Sequence, residues 1–233
     1  MEDPTTAPRH AVLAVVLQVR EGKLRVLLWQ RARKPFKGVW ALPGGTLEAR
    51  EPLDTSIRRH LAAKVDVSEL THAEQLGTWS DPDRDPSRWE LATAYLGLVP
   101  ADADPQLPAD TSWHAVDALP PLAFDHGEIV LAGRGRLRGK LSYTNVGFAL
   151  APPLFTLPEL RELYVAALGH EVSATNLKRV LLRRAVLEPA GGRRDPGRAG
   201  GRPAALFRFQ ARRLEVTDQF AALRPPVLEP GLD

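Results

Sequence analysis

The sequence predicts an α+β chain in two parts: a mixed α/β domain, then a small basic domain of two helices and a hairpin. Three observations predict it. Two apolar, β-rich runs at 11–19 and 24–30 flank a polar turn and lead towards an amphipathic helix. The pattern changes at Ala151, Pro152 and Pro153, after which helical periodicity dominates. Basic side chains then crowd 174–213, where eleven Arg or Lys face only Glu188 and Asp195.

The elements follow in order. Residues 1–9 are polar and Pro-containing, and read as a flexible tail. Residues 10–150 read as the first domain and 151–233 as the second. Arg20, Glu21, Gly22 and Lys23 join the first two strands as a hairpin. A basic loop at 31–37 precedes a short run at 39–42 and a turn at Pro43, Gly44 and Gly45. Pro52 suits the start of a helix over 53–65, with Leu53, Ile57 and Leu61 on one face. Strands at 75–79 and 90–99 enclose a polar loop at 80–88. A connector at 100–111 leads to a short strand at 113–116. The next helix spans 124–138, weakened by Gly127, Gly133 and Gly135.

In the second part, Thr156 with Glu159 three residues on forms a capping box for a helix at 157–168, which Gly169 ends. Ser173 caps a second helix at 174–184. Strands at 186–188 and 205–210 flank a Gly-, Pro- and Arg-rich tip.

Composition narrows the function classes. The absence of Cys removes disulfides, thiolate nucleophiles and Cys-ligated zinc, and fits a reducing compartment. The longest apolar runs are too short to span a bilayer, and the first residues lack the basic start of a signal peptide. A cytoplasmic protein without a membrane partner is expected. The net charge of +3 divides unevenly, with −1 over 1–150 and +4 over 151–233. Arg outnumbers Lys 25 to 6, which accounts for the type of cation but not for its clustering. The cluster reads as a polyanion surface, the alternative being a merely solvated face.

Gly44–Gly45–Thr46–Leu47–Glu48, followed by Glu51, Arg59 and Leu61, resembles the Nudix box, a loop–helix–loop that binds diphosphates. Trp40–Ala41–Leu42–Pro43 ahead of it matches the usual approach to the box. The resemblance implies an α/β/α sandwich with a mixed sheet, and an ion pair between Glu51 and Arg59. The departures decide the chemistry. His60, Ala63 and Lys64 stand where the family carries the glutamates that hold Mg²⁺, and Asp66 stands where it has Gly. A hard cation needs several oxygen ligands, and neither Ala nor Lys supplies one. No catalytic residue and no metal site are therefore expected, nor ADP-ribose pyrophosphatase activity. Effector binding falls instead to Arg33, Lys37, Trp40, Gly44, Gly45, Lys64, Arg84 and Asp85. Arg31 and Arg33, with Lys34 and Lys37 before the box, and Arg84 in the long loop can fork onto a pyrophosphate, or form solvated basic loops. The tryptophans at 40, 79 and 89 are core residues or stack on adenine.

The two helices and basic hairpin resemble a winged helix-turn-helix. The resemblance places Thr175, Asn176, Lys178 and Arg179 at base edges, and Arg183 and Arg184 on phosphate. Arg193, Arg194, Arg198 and Arg202 in the wing would hold the backbone or a minor groove. An ordinary helical hairpin is the alternative. The combination is similar to the Nudix-related transcriptional regulators of NAD metabolism, the NrtR family. Further segments carry the likeness: Leu122–Ala123–Phe124–Asp125–His126, Phe155–Thr156–Leu157, and Gly201–Arg202–Pro203–Ala204. What it implies is a homodimer on a palindromic operator in double-stranded DNA. It would repress genes of NAD biosynthesis or recycling and let go when ADP-ribose, or a related NAD-derived dinucleotide, fills the pocket. No cofactor is required. The alternative is a Nudix hydrolase of ADP-ribose or a nucleotide sugar with an accessory C-terminal domain.

Overall fold

A computed structural model describes residues 7–65, 70–195 and 203–218. The first hairpin pairs β1 (Arg9–Arg20) with β2 (Lys23–Gln30), with Leu17 opposite Val26 and Arg20 opposite Lys23. Its two turn residues, Glu21 and Gly22, both have positive φ (52° and 70°), the twist that a two-residue hairpin loop needs.

β1 is the centre of the first domain. It runs parallel to β6 (Glu90–Leu98) and antiparallel to β2, so the sheet is mixed. β6 pairs with β5 (His72–Trp79). β2 pairs with β3 (Trp40–Ala41) and β7 (Thr111–Ala115), and β1 with β4 (Gly44–Thr46). Residues 11–19 are all buried, because helices cover both faces of the sheet. Val12, Ala14 and Val16 pack with Ile57 and Leu61 of α1 (Leu53–Val65). Leu13, Val15 and Leu17 share a core with Ile129, Val130 and Leu137 of α2 (His126–Tyr143).

In the first domain two glycine-bearing segments depart most from the sequence reading. Gly44 and Gly45, read as a turn, form strand β4. α2 continues five residues past 138 despite its glycines. Gly133 explains the tolerance, since a Cβ there would lie 2.7 Å from Val15 Cγ1, so glycine lets helix and strand approach closely.

In the C-terminal part, α3 (Leu157–Leu168) carries the expected capping box between Thr156 and Glu159. It ends at Gly169 with φ 74°. Ser173 accepts from the Asn176 amide at the start of α4 (Ala174–Arg183). β9 (Leu187–Arg194) pairs with β10 (Ala204–Phe209), and the strand read as 186–188 runs on to Arg194. A third strand, β8 (Phe155–Thr156), joins β10 and was too short to be seen as a period-two pattern. Ala151 is fully buried, and one apolar core includes Val15, Phe148, Phe155 and Tyr164. The junction between the two parts is a packed seam.

Tyr164 marks that seam. Among the described residues its hydroxyl is buried without a hydrogen-bond partner beside Gly147, and burial pushes the phenol upward from its ordinary pKa. Tyr164→Phe removes an unsatisfied polar atom and leaves the ring. Thermal melting should show stability unchanged or raised by up to about 1 kcal/mol. A loss above that would reveal a partner for the hydroxyl.

Candidate effector cleft and nucleic-acid interface

The cleft begins at β4. A Cβ on Gly44 would sit 2.2 Å from the Val12 carbonyl oxygen, so only glycine lets β4 lie on β1. A Cβ on Gly45 would meet the His60 ring at 2.4 Å. His60 is buried there, with Nε2 3.1 Å from the Thr46 carbonyl. Imidazole thus packs under the loop at a position where the Nudix pattern carries a carboxylate.

Glu51 and Arg59 form the expected pair. Arg59 Nε and Nη2 each donate to one Glu51 oxygen at 2.7 Å, and the Glu48 amide donates to Glu51 at 3.1 Å. The Arg59 hydrogen bond holds the Glu51 carboxyl down to about 2 from 4.5. A depressed carboxylate contributes stability above its unfolded pKa and loses it as pH falls towards the folded one. The melting temperature should therefore fall between pH 4.5 and 2, and less steeply in Glu51→Gln. Equal slopes would mean that the pair contributes nothing.

A Nudix magnesium site does not fit these residues. Glu51 is committed to Arg59, His60 is tucked under Gly45, and Ala63 presents a methyl group.

The cleft encloses about 630 Å³ and is rich in arginine: Arg31, Arg33, Arg59, Arg84 and Arg88 line it with Glu48 and Glu90. Of the residues read as effector-binding, Arg33, Gly44, Gly45 and Arg84 line this space. Lys37 lies in an adjoining groove with Lys34, Phe36 and Ser87. Trp40 does not line the cleft but packs edge-on against His114 at 4.3 Å, as an aromatic beside a strand commonly does. Asp85 is buried in a turn, where it accepts from the Ser87 amide and hydroxyl at 2.8 and 2.7 Å. Lys64 is on the last turn of α1, and its side chain lies outside the described residues.

Arg31 of the basic loop also lines the cleft, and sequence reasoning missed Phe124 and His126 as wall residues. The Arg31 guanidinium sits 4.5 Å from the Phe124 ring centroid. Burial lowers its pKa, an effect that Asp85 and Glu90 oppose. His126 Nδ1 accepts from the Leu42 amide at 3.0 Å. Burial, then Arg84 and Arg31, press its pKa down to about 3, so the ring is neutral. Arg84 joins the two distant segments by a bidentate pair with Asp125, at 2.9 and 2.6 Å. Arg31 and Arg33 make no ion pair among the described residues, which leaves cationic capacity for an anion.

The second surface is α4. Thr175, Asn176, Lys178, Arg179 and Arg183 are exposed, while Leu177 and Leu181 are buried. Arg179 donates to Asn176 Oδ1 at 2.9 Å. Arg193 is exposed on β9. Two cations differ from expectation. Arg184 is turned inward, onto Asp218 and the Ser142 carbonyl, so it is not a free phosphate contact. Arg194 pairs with Glu159 and the Leu154 carbonyl. Arg198 and Arg202 lie outside the described residues. Among the described residues, no helix is long and apolar enough to cross a membrane.

Two family profiles match the chain: the NUDIX domain over residues 8–132 and the NrtR DNA-binding winged helix domain over residues 147–209. The chain is 33% identical over 210 residues to the ADPR responsive transcriptional repressor NtrR of Acinetobacter baylyi, covering 87% of this chain and 82% of that protein. Shewanella oneidensis NrtR, crystallised with a 27mer DNA, matches at TM-score 0.73 and 32% identity, covering 86% of this chain and 93% of that one. The NUDIX domain of the Shewanella protein, in a cocrystal structure with ADP ribose, matches at TM-score 0.53 and 33% identity, over 58% of this chain and 94% of that one. With a NUDIX domain, a winged helix domain of the NrtR type and this identity along nearly its whole length, the chain belongs to the NrtR family.

Proposed function

We propose that this chain is a DNA-binding transcriptional repressor of NAD biosynthesis or recycling genes, released by ADP-ribose or a related NAD-derived dinucleotide. The observation that carries the reading is the cleft itself. It keeps a diphosphate's cations, Arg31, Arg33 and Arg84, beside a box that has lost the acidic ligands of hydrolysis. Binding without turnover is what a sensor requires. The exposed α4 face, with Thr175, Asn176, Lys178 and Arg179, supports a reading unit for the major groove. The similarity to a repressor named for its response to ADPR supports the pairing of the two.

In this reading residues 10–150 sense the effector, 151–233 bind DNA, and the protein acts in the cytoplasm. A homodimer places two α4 helices on a palindromic operator. It needs no cofactor, and the chain is not an enzyme. The test is a gel shift on the promoters of its own and of NAD-pathway genes, with and without ADP-ribose. A salt-sensitive shift that ADP-ribose reverses is the expected result. Brisk Mg²⁺-dependent release of AMP, lost in Glu51→Gln, with no shift on any duplex, would overturn it.

A further inference from the structure

We propose that α2 couples the cleft to the DNA-reading helix, with Asp125 as the switch at one end and Arg184 as the positioning residue at the other. The proposal rests on the function proposed above and adds how the two sites communicate.

Three helix starts in this chain make the case. Thr156 and Ser173 precede α3 and α4 with extended backbones (ψ 162° and 122°), and each side chain accepts a first-turn amide. Asp125 precedes α2 with ψ 14°, and its side chain makes no capping bond. Aspartate is among the best capping residues, yet here its carboxylate is held by Arg84. Arg84 also lines the cleft. The residue before the cap, Phe124, has φ 55°, a costly conformation for an aromatic side chain, and its ring lines the cleft as well. Asp125 therefore has two competing partners: a cleft arginine and the amides of α2. A diphosphate in the cleft draws on Arg84 with charge-assisted hydrogen bonds of the same kind. The released carboxylate then caps α2, which requires ψ of Asp125 to become extended.

That change re-aims a rigid element. Eighteen residues make a rod of about 27 Å, and a tilt of about 5° moves its far end by about 2 Å. The other end of α2 is fastened to the DNA-binding part. Arg134 and Arg138 crowd Gly169, the cap of α3, where a Cβ would lie 2.9 and 2.3 Å from their Nη2 atoms. Arg184, the residue that closes α4, donates to the Ser142 carbonyl at 2.8 Å and pairs with Asp218. Asp218 and Thr217 in turn donate their amides to the Tyr143 carbonyl. The last turn of α2 thus grips the end of the helix that reads DNA. A ligand shifts such an equilibrium only through unequal contacts with its two states, and Arg84 supplies that inequality.

Asp125→Asn separates the two roles, since asparagine caps as well as aspartate but loses the ion pair. Hydrogen exchange on the full-length chain, with and without saturating ADP-ribose, reads the coupling directly. In the wild type, protection should change both at the cleft loops and over 174–184. In Asp125→Asn the change should be confined to the cleft. Arg184→Lys, which keeps the charge but not the fork, should do the same from the far end. In fluorescence anisotropy, the factor by which ADP-ribose weakens duplex binding, on the order of 5–150 for such coupling, should fall below about 3 in both variants. A wild type that responds only at the cleft, or variants that keep the wild-type factor, overturns the coupling and leaves the proposed function standing. No response anywhere to ADP-ribose overturns both.

Discussion

Alanine at Asn176 or Arg179 is expected to weaken operator binding by about 1–3 kcal/mol and to relax base choice, with little change on random duplex. Both side chains are exposed on α4, Asn176 in its first turn and Arg179 one turn later, on the helix that reaches base edges in a helix-turn-helix. Asn pairs with adenine and Arg with guanine, and each loses two hydrogen bonds when truncated. The Arg179–Asn176 bond of 2.9 Å already links them, so the double variant should cost less than the sum of the two. Arg193→Ala is the contrast. It removes a cation on the wing strand, so it should weaken every duplex alike and flatten the salt slope by about one. Anisotropy on operator and scrambled duplexes at several salt concentrations separates these outcomes. An equal loss on both duplexes for Asn176→Ala would remove it from the base contacts.

Gly44→Ala is expected to cost roughly 3 kcal/mol or more. The added methyl collides at 2.2 Å with a backbone oxygen of β1 and at 2.9 Å with Leu13, so rotamer changes alone cannot clear it. β4 must leave β1, and with it go the floor of the cleft and the seat of His60. Gly135→Ala supplies the control. It lies within α2, a Cβ there meets nothing within 4 Å, and it should stabilise by roughly 0.5–1 kcal/mol. Opposite shifts of melting temperature in the two variants are the expected pattern. An unchanged melt for Gly44→Ala would mean that β4 is not locked to β1.

Much of this architecture was legible because the responsible signals are local. The hairpin at Glu21 and Gly22, the helix over 53–65, the capping box at Thr156 and the stop at Gly169 each depend on neighbours in sequence. The Glu51–Arg59 pair was legible through a resemblance to the Nudix box. What escaped notice depends on long-range contact. β8 has two residues and exists only because β10 pairs with it. The length of α2 is a matter of packing against Val15, which overrides the low helix propensity of its glycines. Phe124 and His126 enter the cleft wall because Arg84 bonds Asp125, 41 residues away. Trp40 was taken for a ligand contact because composition cannot tell a ring that faces solvent from one that covers a histidine. For the same reason Arg184 and Arg194 read as open cations. Their carboxylates, Asp218 and Glu159, lie 34 and 35 residues away in sequence.

Glu159 serves two masters: it closes the capping box of α3 and it tethers Arg194 at the end of β9, where the strand leads into the tip of the wing. A phosphate that claims Arg194 displaces a carboxylate already in place, so that contact exchanges one anion for another. Fewer counterions are then shed than a tally of wing arginines suggests, and grip on the duplex declines more gently with added salt. Neutralising Glu159 would steepen that decline while fraying the start of α3.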